Sequence, residues 1–311
     1  MPQIALQGAT IDYRESGPAD SAHPPVVFVH GALVDSRLWS SVAEALAAQG
    51  FRCILPNLPL GAHRIPVDDR SVLSPPGVAV LIDEFLAALD LDDVTLVGND
   101  TGGGICQFLI DARPDRIGRL VLTNCDAFDK FPPFPFNAVF ALMRSQRSTQ
   151  LLMKSMGPRA LRHSPLAFGL LARHLDPALT ASWIAPASTD ERIAGDFAAL
   201  ARSIGGTDLT AVAPRLHAFA KPVRLAWGTG DRCFTPALGR RVAELFPDAT
   251  FTEVPGARTF VALDDPQAVI DAIVAAITHV LANGPHTPDL GGRATTAEVG
   301  RAIAARLESA P

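Results

Sequence analysis

The stretch Leu96-Val97-Gly98-Asn99-Asp100-Thr101-Gly102-Gly103-Gly104 narrows the folds open to this chain more than any other. The β-branched run Asp93-Val94-Thr95 feeds into it, and Ile105-Cys106-Gln107-Phe108-Leu109-Ile110 leaves it with the character of a helix start. A strand, a sharp turn bounded by glycines and a helix make the layout of a nucleophile elbow. In such a turn the glycines let the chain reverse tightly, and the residue between them is held in a strained conformation with its side chain exposed. Here that residue is Asp100, where most elbows carry serine. A carboxylate is expected to be ionised at neutral pH and so needs no base to become a nucleophile.

The rest of the chain supplies strands and helices in alternation. Continuous apolar runs at Val26-Val27-Phe28-Val29, Cys53-Ile54-Leu55-Pro56, Leu120-Val121-Leu122 and Val223-Arg224-Leu225-Ala226-Trp227 read as strands buried on both faces. Two short strands precede them, around Ile4-Leu6 and Thr10-Tyr13, and Thr250-Val254 follows. Helices are predicted from a Ser36 cap to Gly50, over Val78–Leu91, Pro236–Phe246 and Pro266–Leu281. This alternation predicts an α/β fold with a mainly parallel sheet and helices on both faces. Between 129 and 213 the rhythm changes to apolar stripes separated by Pro158, Pro165, Pro177 and Pro186, which reads as a helical cap. The expected division is a core from 1–128 and 214–283, a cap at 129–213, and a linker with a short amphipathic helix or loose tail at 284–311.

Composition limits the partners and the compartment. With 311 residues, 48% of them hydrophobic and 19% charged, the chain suits one large α/β domain with a sizeable insertion. The net charge is −5 with both signs scattered and no basic stripe, so no nucleic-acid partner is expected. No uninterrupted apolar run is long enough to span a membrane and no signal peptide is visible, so neither a membrane association nor export is expected. Cys53, Cys106, Cys125 and Cys233 are widely spaced without a C-x-x-C pair, which points to free thiols in the cytoplasm and away from zinc or disulfides. No phosphate loop or metal-ligand cluster is visible, so no cofactor is expected, and the oligomeric state stays open.

Several marks then fall in one order. His30-Gly31 follows the third strand and the Asp100 turn follows the fifth. Gly228-Thr229-Gly230-Asp231 follows the strand after the cap, and Val254-Pro255-Gly256-Ala257 precedes Phe260 and Asp265-Pro266. Over roughly 3–283 the chain thereby resembles the α/β-hydrolase fold, and its aspartate elbow resembles the haloalkane dehalogenase and epoxide hydrolase branch. Enzymes of that branch attack carbon with the carboxylate, then hydrolyse the resulting ester with a water activated by histidine. The resemblance implies Asp100 as nucleophile, the N–H groups of Ala32 and Thr101 as oxyanion hole, and Asp231 as the acid that orients the histidine.

The histidine itself is missing. The family's loop reads roughly Gly-x-Gly-His-Phe, whereas this chain has Gly256-Ala257-Arg258-Thr259-Phe260, which places Thr259 in the histidine slot. A threonine hydroxyl is no base near neutral pH. The halide-binding tryptophan after the nucleophile is Thr101 here, and the only tyrosine, Tyr13, lies far outside the cap that carries the tyrosine acids of epoxide hydrolases. His63, in the loop after the fourth strand, is a candidate for facing the pocket, as are His163 and His174 in the cap. His30 is expected to shape the oxyanion loop more than to bind substrate. Asn124 either hydrogen-bonds near the elbow or caps the next segment. Arg258 pairs with Asp231, binds an anionic substrate or faces solvent. Two carboxylates without an imidazolium between them are expected to repel and raise one pKa. Three functional readings stay open: a hydrolase of altered mechanism acting on a small, largely apolar substrate; a cofactor-free lyase, isomerase or cyclase using Asp100 as acid and base; and a silent ligand-binding member of the fold.

Overall fold

Valine, isoleucine and leucine runs that bury both faces build the centre of one eight-stranded sheet. The computed structural model describes residues 1–204 and 206–282, with side chains through 278. The expected linker at 284–295, the helix at 296–307 and the side chain of His279 lie outside the described residues. The strands are β1 (Gln3–Leu6), β2 (Ala9–Ser16), β3 (Val26–Val29), β4 (Cys53–Pro56), β5 (Val94–Asp100), β6 (Ile117–Cys125), β7 (Val223–Gly228) and β8 (Ala249–Val254). Their order is β1-β2-β4-β3-β5-β6-β7-β8. β1 pairs antiparallel with β2 and β2 with β4, and every later pairing is parallel.

The order fixes where a site is able to form. From β3 the chain crosses to β4 on one side, then returns past β3 to β5 on the other. With Val29 opposite Gly98, the loops leaving β3 and β5 diverge from adjacent strand ends. A crevice at such a switch of strand order is where open α/β sheets take their ligands. Here it sets Ala32 beside Asp100.

The core helices are α1 (Ser40–Ala48), α2 (Pro75–Ala88) and α3 (Thr101–Ala112). A 3₁₀ turn, Ser36–Trp39, leads into α1 and is capped by Asp35, whose carboxylate accepts from Arg37 N–H at 3.0 Å; the expected Ser36 cap is one residue late. α2 begins three residues before the expected Val78, because Ser74 caps Gly77 N–H at 3.0 Å and Pro75 occupies the first turn, where its missing N–H costs nothing. Between β6 and β7 the chain forms α4 (Phe136–Leu142), α5 (Gln146–Ser155), α6 (Arg159–Arg162), α7 (Phe168–Leu171), α8 (Pro177–Thr189) and α9 (Glu191–Ile204). α10 (Pro236–Ala243), α11 (Val261–Asp264) and α12 (Pro266–Ala282) complete the described chain. α12 packs with α1, and α2 packs with α3.

α3 carries three consecutive glycines, a poor choice for a helix at about 1 kcal/mol each against alanine. Close packing accounts for them. A Cβ on Gly102 would lie 2.4 Å from the His30 carbonyl oxygen, and one on Gly103 would lie 2.3 Å from Cys125 Cβ. The helix therefore sits directly on the ends of β3 and β6. Gly102→Ala is expected to destabilise by about 1–3 kcal/mol or more, opposite in sign to the helix-propensity gain, as a lowered urea midpoint would show.

Candidate active site

Asp100 ends β5 with φ 54° and ψ −133°, a left-handed conformation that costs a non-glycine residue on the order of 1–3 kcal/mol. The strain aims its carboxyl at Gly31, where a Cβ would lie 2.2 Å from Asp100 Oδ2, so only glycine leaves the carboxyl its place. The N–H groups of Thr101 and Ala32 act on this carboxyl as hydrogen-bond donors. Burial outweighs them and, with the charge of Asp231 in second support, pushes the Asp100 acid up to about 7. The expected ready-made carboxylate is therefore about half protonated near neutral pH.

Asp100, Thr101, Ala32 and Leu33 form the floor of a cavity of about 300 Å³. Its walls come from the helical insert, with Phe136, Phe140, Met153, Met156, Phe168 and Ile184 among them. Of the apolar side chains around α4, Phe136, Phe140 and Leu142 line it. Met143 is instead fully buried in packing, and Phe134 is 77% exposed. Among the cavity's lining residues Asp100 is the one with an ionisable side chain.

Asp231 and Thr259 meet each other, but not this cavity. Thr259 Oγ1 donates to Asp231 Oδ2 at 2.8 Å, and Asn124 Nδ2 reaches the same oxygen at 2.9 Å. Asp231 Oδ1 accepts from the N–H groups of Cys233 and Phe234 at 2.7 and 3.1 Å. Burial still pushes the Asp231 acid up to about 6 against all these donors. Asp231 thus acts on Asp100 through its charge, while both it and Thr259 are buried and absent from the lining. Both carboxyls are raised rather than one, chiefly by burial, and at Asp100 the charge of Asp231 adds to the rise.

The remaining candidates are tied elsewhere. His63 does not face the cavity; its Nδ1 accepts from Gly61 N–H at 3.2 Å and its Nε2 lies 3.3 Å from Asp196 on α9. His30 is tied into its own loop, with Nδ1 at 2.9 Å from the Gly31 carbonyl and Nε2 accepting from Leu58 N–H at 2.9 Å, and burial lowers its pKa. Asn124 positions Asp231 and also accepts from Gly228 N–H at 2.6 Å, so it is no substrate ligand. Arg258 pairs with neither Asp231 nor the cavity; it is half-buried and donates to the Gly169 carbonyl at 2.5 Å. His163 bonds Thr180 Oγ1 at 2.8 Å, and His174 is an exposed neighbour of Asp264. No histidine thus lines the cavity.

Two residues in the site carry no mark in the sequence. Asn99 ties the Thr259 loop to the elbow strand, donating to the Thr259 carbonyl at 2.6 Å and to Thr123 Oγ1 at 2.8 Å. Asp126 follows β6 and is fully buried, with neither carboxyl oxygen in a hydrogen bond of ordinary geometry. Burial, then the charge of Asp100, pushes its acid well above the carboxylate range. Among the described residues no group of three or more histidine, cysteine or acidic side chains is placed to hold a metal ion.

The alpha/beta hydrolase fold family matches residues 24–266, most of the chain. The protein belongs to the α/β-hydrolase fold family. Haloalkane dehalogenase 2 of Mycobacterium tuberculosis is 26% identical to this α/β hydrolase over 280 residues, covering 81% of this chain and 87% of that one. A 2-hydroxy-6-oxononadienedioate/2-hydroxy-6-oxononatrienedioate hydrolase of Dechloromonas aromatica is 26% identical over 249 residues, covering 77% and 80%. Among solved structures, haloalkane dehalogenase DbeA of Bradyrhizobium elkani superposes with a TM-score of 0.73 at 21% identity, over 90% of this chain and 98% of its own. That last likeness is one of fold.

Proposed function

We propose that this α/β hydrolase opens a small, uncharged, largely apolar electrophile with Asp100 as nucleophile, under the helical insert acting as a cap. One observation carries the reading: a strained aspartate forms the floor of an apolar cavity, with two backbone donors on its carboxyl. In the first step an Asp100 carboxylate oxygen bonds the electrophilic carbon, and the leaving group departs with its electron pair. In the second, water adds to the ester carbonyl while the N–H groups of Ala32 and Thr101 take the developing oxyanion. The alcohol then leaves and Asp100 is restored, with one proton released. No base lines the cavity to deprotonate that water, so the second step is slow and the ester long-lived. Haloalkanes and related electrophiles are the first class to try, given the dehalogenase relative of 26% identity.

The Asp100 acid near 7 favours a second reading. A carboxyl poised there suits proton transfer, so a cofactor-free lyase, isomerase or cyclase would use the same floor without an ester. The two readings differ under pH variation. Nucleophilic attack needs the ionised form, so the single-turnover rate of ester formation is expected to rise with pH and level off above about 7. Stopped-flow mixing with a reactive alkyl halide checks this; a rate that is flat or falls across that range rejects the nucleophile. The four cysteines are buried free thiols, which supports the cytoplasm as the proposed compartment.

A further inference from the structure

Among the described residues the large exposed apolar side chains are not scattered along the chain. Apart from Met1, every large hydrophobic side chain exposed among the described residues falls between 134 and 166: Phe134 at 77%, Leu142 at 67%, Leu151 at 68%, Leu161 at 52% and Leu166 at 74%. Leu142, Leu161 and Leu166 also line the cavity, so these half-bare side chains stand at its mouth. Exposed apolar side chains gathered at a cavity mouth mark a contact surface.

The charge of the same segment is equally uneven. From Lys130 to Leu175 the sequence has no aspartate or glutamate but has Lys130, Arg144, Arg147, Lys154, Arg159, Arg162 and Arg173, in a chain of net charge −5. Arg162 is buried and spent on the carbonyls of Met156, Gly157 and Pro177. Arg144, Arg147, Lys154 and Arg159 are exposed and form no ion pair with an acid of the described residues, whereas Arg113, Arg116 and Arg215 elsewhere all do. On α5, Arg147, Leu151 and Lys154 follow one another at helical spacing, so one exposed face presents leucine between two cations.

We propose that this face docks on the surface of an anionic lipid bilayer, with the cavity mouth opening toward the lipid. Exposed leucine and phenylalanine enter the headgroup boundary, and flanking cations meet the lipid charges. The negative charge of the rest of the chain turns the other faces away. An apolar substrate dissolved in the bilayer then reaches the cavity without crossing water. The expectation of no membrane association rested on the absence of a spanning segment, and among the described residues no helix is long and apolar enough to span. A surface that lies on a bilayer needs none. An acidic protein would satisfy the cations equally but would seal the mouth, which favours the lipid.

The inference goes beyond the Asp100 chemistry, and its test does not depend on it. Full-chain protein is sedimented with vesicles of phosphatidylcholine alone and with vesicles in which phosphatidylglycerol replaces part of it. Binding is expected to the anionic vesicles, to fall with added salt, and to be absent from the neutral ones. Arg147→Gln and Lys154→Gln, both exposed, are each expected to weaken the partition about five-fold and together roughly thirty-fold. Leu151→Ser, which leaves the cavity lining intact, is also expected to weaken it. Equal partition on both vesicle types, no partition on either, or full binding by the double variant overturns the proposal. So does retention on polyglutamate without binding to phosphatidylglycerol vesicles, which would assign the face to an acidic polypeptide.

Discussion

Mixed with a small reactive alkyl halide at mildly alkaline pH, the protein is expected to gain the alkyl group less one hydrogen and to keep it. The mass sits on Asp100, whose ester lacks a base for its hydrolysis within the cavity. Asp100→Asn removes the adduct. Thr259→His is expected to restore turnover, because a side chain from that position already bonds Asp231 at 2.8 Å, and Asp231 lies near enough to Asp100 for its charge to act there, so the longer imidazole reaches from the one toward the other. Asp231 would then hold the N–H of the new imidazole and leave its other nitrogen for water, as the acid of a triad does. The gain in ester hydrolysis is about 10²–10⁴-fold, the usual worth of a placed general base. Intact-mass spectra taken over time on both backgrounds read it directly. An adduct on another residue, together with activity that survives Asp100→Asn, would reject both chemical roles for the elbow. The absence of any adduct with the true substrate, with no gain from Thr259→His, leaves Asp100 as a proton carrier.

The same aspartate is expected to weaken the fold above neutral pH. In the unfolded chain its acid titrates near 3.8, and in the folded protein near 7. Between those values the unfolded chain binds fewer protons than the native one, so stability falls as pH rises and levels off above the folded value. Asp35 and Asp196, held below the carboxylate range, act with the opposite sign and lose their contribution on acidification. Replacing Asp100 by asparagine isolates the first effect. The variant is expected to be about 2–4 kcal/mol more stable than the parent at about pH 8 and nearly equal to it at about pH 4. Urea unfolding at the two pH values checks this, and equal stability at both would show that the carboxyl is better solvated than its burial implies.

The strands were legible in the sequence because a segment buried on both faces has no polar alternation, as Val26–Val29 and Val223–Gly228 demonstrate. Helix starts were less so. Asp35 and Ser36 are adjacent and chemically equivalent caps, and Ser74-Pro75-Pro76 reads as loop although proline is at home in a first helical turn. In the site, the elbow announces itself because a strained turn demands glycine neighbours at fixed offsets. What His63 faces was hidden, since its partner Asp196 lies 133 residues away on α9. Nor does sequence show that Asp231 and Thr259 are absent from the cavity's lining, or that Asp126 is buried beside the elbow; both depend on how helices cover strand ends. The acid-free run from Lys130 to Leu175 was countable from the start. Its meaning depended on which side chains are exposed, and the whole-chain charge concealed it.

The helical insert is fastened unevenly to the core. Trp183 on α8 donates its indole N–H to Asp35 at 3.1 Å. Asp196 on α9 accepts from Val67 N–H at 3.1 Å and Arg70 Nε at 2.7 Å. α4, α5 and α6 pack against α8 and α9. Swinging the whole insert aside would break these buried polar contacts together, at about 1–3 kcal/mol apiece. Passing a molecule between Leu142, Leu161 and Leu166 asks only for side-chain rotations of residues that are already half in solvent. Traffic into the chamber is therefore expected to be governed by girth at a leucine rim and not by a hinge. Slender molecules gain admission ahead of compact ones of equal volume, so selection by shape precedes any selection by reactivity.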